Sequence, residues 1–194
     1  LDWIVSEKVD VVAIQEVTHE SVSFVKERLN ATLPHQLFQS GYGARGMGFA
    51  SRWPIDEIER FGDTRWTHVQ FAVTVNTPTG KVRCFSVHPT NPTTRPQSEQ
   101  QRATLGRIAQ RISAAEEPVV VVGDFNLTPW SPTFRRFLQT TQLRDPRVGR
   151  GLFPTWSPPS SPWPFIPIDH ILVSSGWALD RLELGPRFGS DHRP

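Results

Sequence analysis

VVVVGDFN at 119–126 is a run of valines that stops at Gly123, Asp124 and Asn126. β-Branched side chains favour extended backbone, and a short apolar run bounded by turn residues reads as a buried strand. Pro118 opens the run, so the strand carries a carboxylate and an amide out at its far end. Asp and Asn also favour plain turns. The valines ahead of them weigh against that reading, because a charged group at the mouth of an apolar core needs a partner or a cation.

Other segments repeat the pattern. VVAIQE ends in Glu16, CFSVH ends in His88, and the sequence closes on Ser190, Asp191 and His192. Several such ends converging make a site at a sheet edge. Oxygen ligands from Glu16 and Asp191, with Asp124 and Asn126 as further candidates, suit a hard cation such as Mg²⁺ or Mn²⁺. Histidines beside carboxylates suit proton transfer and phosphate stabilisation. The combination fits attack of water on a phosphate ester.

Working outward, DVVAIQEV at 10–17 reads as a strand after a short helix bearing Leu1, Ile4 and Val5. Thr18 reads as the N-cap of a helix over 19–30, with Val22, Val25 and Leu29 inward. Strands are predicted at 35–38, 47–51, 55–61, 67–76 and 81–88, with TPTG at 77–80 as a hairpin turn. Leu105, Ile108, Ala109 and Ile112 share one face of a helix over 97–115. Ser131 and Pro132 start another, with Phe134, Phe137 and Leu138 inward. IDHILVS at 168–174 and the segment 178–186 complete the strands. Strands in runs, broken by a few helices, predict an α/β fold of two packed, mostly antiparallel sheets with helices on both outer faces, an α-β-β-α sandwich.

The length of 194 residues fits one domain, 1–194. The net charge of +2 gives no electrostatic grip for nucleic acid, although all 21 basic residues except Lys8, Lys26 and Lys81 are arginine. The single cysteine, Cys84, lies in an apolar run and reads as core; it rules out an internal disulfide or a cysteine metal cluster. No apolar run is long enough to span a membrane. LDWIVSEKVD reads as the tail of a helix and GSDHRP has no closing element, so the sequence is expected to be cut from a longer protein at both ends.

IQEV, GMGFASRWPI, SVHPTNP, GDFNLTPWS, PIDHILVS and GSDHRP, in this order over almost the whole sequence, resemble the endonuclease/exonuclease/phosphatase superfamily, the deoxyribonuclease I-like proteins. The resemblance implies a role at each matched position. Glu16 binds the metal and Asp191 lies next to it. Asp124 positions or deprotonates the attacking water, and Asn126 contacts the phosphate. His192 binds the scissile phosphate or acts as base, and Asp169 orients it. His88 matches a second histidine, sometimes assigned as general acid. It also implies an initial strand ending in Asn, which would precede Leu1. PWSPTFRR and GSDHRP are most similar to bacterial members of unassigned substrate. Some of these follow membrane-spanning segments, which would place the domain outside the cytoplasm and give it a membrane association through segments outside this sequence.

His19, His35 and His68 read as surface or packing residues, and strand alternation turns His170 away from Asp169. Trp156 and Trp163, in a Pro-rich aromatic loop before Asp169, are candidates to bind substrate; packing of the loop is the plainer reading. Arg135, Arg136, Arg144, Arg147 and Arg150 read as a solvated surface. Three functions follow: hydrolysis of a lipid head group or small phosphate ester, hydrolysis of nucleic acid, or binding without catalysis.

Overall fold

Apolar strands that alternate with polar turns pack here into two sheets. The computed structural model describes residues 1–62, 68–158, 166–187 and 189–194. Strands β1 (Val11–Gln15), β2 (His35–Gln39) and β3 (Met47–Ser51) form an antiparallel sheet in the order β1-β3-β2. Strands β4 (Ile55–Phe61), β5 (Gln70–Thr77), β6 (Gly80–Val87), β7 (Val119–Asp124) and β8 (Asp169–Val173) form the second, in sequence order. Its pairs are antiparallel except β6 with β7. That parallel pair needs a crossover, and α3 (Arg95–Ser113) supplies it.

The two sheets face each other through Leu37, Met47, Phe49, Phe71, Val73 and Cys84. Helices α1 (Asp2–Ser6) and α2 (Val22–Asn30) cover the three-stranded sheet, with Val25 and Leu29 against Ala50. On the opposite side, α3 and α4 (Pro132–Thr141) bring Leu105, Ile108, Phe134 and Phe137 onto Phe85, Val121 and Leu172. The result is the expected α-β-β-α sandwich. At roughly 25 cal/mol per Å² of apolar surface, each buried Phe or Leu here contributes about 1.5–3 kcal/mol before entropy is counted.

Two expectations change. Helix α2 starts at Val22, because Thr18 and Ser21 close a turn on each other: Thr18 N–H donates to Ser21 Oγ at 3.0 Å and Ser21 N–H to Thr18 Oγ1 at 3.2 Å. The segment 178–186 is no strand. Its end is held by Arg193 and Pro194 instead: Gly185 N–H donates to Pro194 O at 2.7 Å, and the Arg193 guanidinium donates to Gly185 O. Leu182 and Leu184 line a cavity of about 590 Å³ with Val11, Ala13, Val122 and Ile171. Among the described residues, no helix is long and apolar enough to cross a membrane.

Candidate active site

β7 and β8 set two carboxylates against each other. In their antiparallel register Asp124, the last residue of β7, faces Asp169, the first of β8. Like charges directly opposed on a sheet repel. Asp124 is buried and Asp169 half-buried, so water screens them poorly. Burial first, then the Asp169 charge, with a further contribution from Glu16, pushes the Asp124 pKa up to about 7.

His192 answers this charge. Its Nδ1 lies 2.9 Å from Asp169 Oδ2 and its Nε2 4.0 Å from Asp124 Oδ2. Burial alone would lower its pKa. The bond to Asp169 and the charges of Asp169, Asp124 and Asp191 outweigh burial and raise it to about 9. His88 meets Asp124 from the other side, with Nε2 3.6 Å from Oδ2. Burial, reinforced by His68 and His192, pushes the His88 pKa down to about 3, so its ring is neutral at pH 7.

The GDFN turn is built by backbone constraint. Gly123 has φ +145°, and a Cβ there would sit 1.9 Å from Val87 O. Only glycine lets β7 approach β6 this closely. Asn126 adopts φ 52°, a left-handed conformation that Asn tolerates. Its N–H donates to Asp124 Oδ1 at 2.7 Å and its Nδ2 to Pro89 O at 3.1 Å. The Gln101 amide, from α3, donates to Phe125 O at 3.2 Å and pins the turn from beneath.

Glu16 leaves β1 with φ 61°, a strained choice for a residue other than Gly or Asn and one found at functional turns. Asp191 is held by the aromatic loop, its Oδ2 accepting from Trp156 Nε1 at 3.0 Å. Trp156 is thus tied to Asp191, and its ring centroid lies 6.5 Å from that of His192. Trp163 lies outside the described residues. Thr155 Oγ1 accepts from the N–H groups of Ile168 and Asp169, both at 3.2 Å, and steadies the start of β8.

One ligand atom from each of Asp124, Asp169 and His192 falls within 4.8 Å of the others. Two opposed carboxylates, with the Glu16 charge felt at Asp124, form an oxygen-rich, under-neutralised set that fits a hard divalent cation.

Sequence reasoning missed a buried network behind this site. Arg147 was read as solvated surface; it is buried, and pairs with Asp145 at 2.6 Å. Its Nη2 also meets His170 Nδ1, and His170 Nε2 donates to Leu127 O at 2.6 Å. His170 does face away from the site, with its ring 4.1 Å from that of Phe134. Burial first, then the Arg147 charge, lowers its pKa to about 3. DPR at 145–147 has the local look of an exposed turn, and nothing in it announces the partner on β8.

The sequence matches the model of the Endonuclease/Exonuclease/phosphatase family over residues 1–192. Comparison with curated proteins finds no match. Among solved structures, a 3′ phosphatase from Neisseria bound to a product DNA hairpin has a TM-score of 0.78 at 18% identity, over 99% of this chain and 89% of that one. An endonuclease/exonuclease/phosphatase from Beutenbergia cavernae gives 0.78 at 22% identity, over 98% and 62%. Sphingomyelinase C from Streptomyces griseocarneus gives 0.69 at 18% identity, over 95% and 81%. These likenesses show the fold, whereas the family match spans nearly every residue and takes in each strand end described above. The chain belongs to the endonuclease/exonuclease/phosphatase family, whose enzymes hydrolyse phosphate esters with divalent metals.

Proposed function

We propose that the chain hydrolyses a phosphodiester or phosphomonoester of a lipid head group or small molecule by in-line attack of water. The observation that carries this reading is the triangle of Asp124, Asp169 and His192. An Asp124 pKa of about 7 suits a base that takes a proton from water near neutrality. His192, cationic up to about pH 9, supplies positive charge to the phosphate, and Asp169 keeps its ring in place. Asn126, fixed by Asp124 and Pro89, offers its amide to a phosphate oxygen. His88 is assigned to the leaving group, to which its neutral ring would donate an N–H hydrogen bond rather than a proton. Glu16 and Asp191 would hold Mg²⁺ or Mn²⁺ beside the Asp124–Asp169 pair. When bound, that ion supplies Lewis-acid stabilisation of the phosphate oxygens.

A net charge of +2 supports a small or lipid substrate over a duplex, which needs clustered cations along a binding face. The likeness to a phosphatase bound to a DNA hairpin supports nucleic acid as a second reading. Assays with Mg²⁺ or Mn²⁺ on bis-p-nitrophenyl phosphate, sphingomyelin and plasmid DNA separate the two. Turnover of the first two, lost in His192→Ala, is expected. Cleavage of plasmid DNA alone would replace the substrate assignment. No turnover of any substrate, or full activity in His192→Ala, would overturn the catalytic roles.

A further inference from the structure

Gln70, the first residue of β5, is fully buried, and its carboxamide is spent around one residue. Its Oε1 accepts from His88 N–H at 2.7 Å, and its Nε2 donates to His88 O and to His68 O, both at 3.0 Å. His88 lies just beyond β6, past the last paired residues, Phe71 and Ser86. The Gln70 side chain thus stands where a strand neighbour would have bonded His88. His68 adds to the grip. Its Nδ1 donates to the same His88 carbonyl at 3.1 Å, and the two rings pack at 4.3 Å.

The His88 ring has little else to hold it. Among the described residues its Nδ1 is buried without a hydrogen-bond partner, and its Nε2 stands 3.6 Å from Asp124 Oδ2, beyond a good bond. The ring's place is therefore set by its backbone and by the face of His68. A buried glutamine that only satisfied itself would need any partners at hand. All three of its bonds converge instead on His88 and the residue stacked on it.

We propose that Gln70, with His68 packed on the ring, is a positioning residue for His88 in phosphate-ester hydrolysis. This rests on His88 serving the leaving group. The test uses aryl phosphodiesters graded in leaving-group acidity, with the metal-loaded protein as Gln70→Met, His88→Ala and the double variant. Gln70→Met removes all three bonds at similar volume. Its kcat should fall about 10-fold on the least acidic leaving group and less than about 3-fold on p-nitrophenolate, with KM unchanged. In the His88→Ala background it should cost nothing more, because residues acting through one group are not additive. His68→Phe keeps the packed ring and removes the bond to His88 O, and should show the same grading on a smaller scale if Gln70→Met folds poorly. A graded loss in His88→Ala with an equal, additive loss in Gln70→Met across the series would overturn the positioning role alone. A flat series in His88→Ala would overturn both that role and the assignment of His88.

Discussion

The Asp169 carboxylate lies 2.9 Å from His192 Nδ1 and turns the opposite ring nitrogen toward Asp124. Asp169→Asn keeps the shape of this contact and removes its charge. Without that charge His192 loses its main source of a raised pKa, so the ring is neutral over more of the working range. A kcat loss on the order of 10²–10⁴-fold is expected, with KM changed far less. Steady-state kinetics at several pH values checks it, and the largest loss should fall above about pH 6.5, where an unassisted imidazole deprotonates.

Asp124 offers a test in the metal-free protein. Its folded pKa of about 7 exceeds its ordinary 3.8, so between those values the native state holds more protons than the unfolded one. Stability then falls as pH rises through that window. Asp124→Asn removes this slope. With divalent ions chelated, the variant should gain on the wild type from pH 4 to pH 7, as urea unfolding at each pH would report. Adding Mg²⁺ or Mn²⁺ should narrow this gain, since an ion held by Glu16 and Asp191 beside the pair is attracted more strongly by the protein that keeps the Asp124 carboxylate.

Gly123→Ala should be costly without touching any catalytic group. The new methyl would meet Val87 O, and φ +145° is closed to alanine. A destabilisation of at least about 2 kcal/mol is expected, read as a lower denaturant midpoint. Activity per folded molecule should fall as well, because β7 can relieve the clash only by moving Asp124.

Arg147→Met would leave Asp145 buried and unpaired; the side chains are 8% and 5% exposed. Losing one partner of such a pair costs about 3–5 kcal/mol. Pairing the change with Asp145→Leu should recover much of the loss, and thermal melts of the three variants check this.

The sandwich was legible because its strands and helices carry strong periodic patterns. The valines of β7 and the helical face Leu105, Ile108, Ala109 and Ile112 needed no tertiary context. Part of the candidate site was readable for a related reason: Glu16, His88 and Asp124 each follow an apolar run, and a covered strand can project charge only at its ends, whereas Asp169, which opens β8, and Asp191 came from the family resemblance. What stayed hidden depends on distant partners. Trp156 looked like a loop aromatic until its indole N–H was found on Asp191, and Arg147 looked solvated until β8 covered it. Gln70 falls within the segment 67–76 that the sequence marks as strand and opens β5, where nothing local distinguishes a clamp from a filler. The segment 178–186 has strand-like composition, but its leucines line a cavity rather than join a sheet, and its end is bonded by Arg193 and Pro194.

Glu16 leaves the three-stranded sheet, whereas Asp124 and Asp169 belong to the five-stranded one. The two sheets are separate hydrogen-bonded units, and between them stand side chains such as Phe49, Phe71 and Val73. The gap across the catalytic mouth is therefore a reading of how tightly two leaves are shut. A protein whose leaves have parted slightly would keep the circular dichroism of intact strands and helices and yet fall silent in an assay. Catalysis becomes the most sensitive gauge of the oily seam, and heat or pressure should extinguish it before either leaf begins to melt.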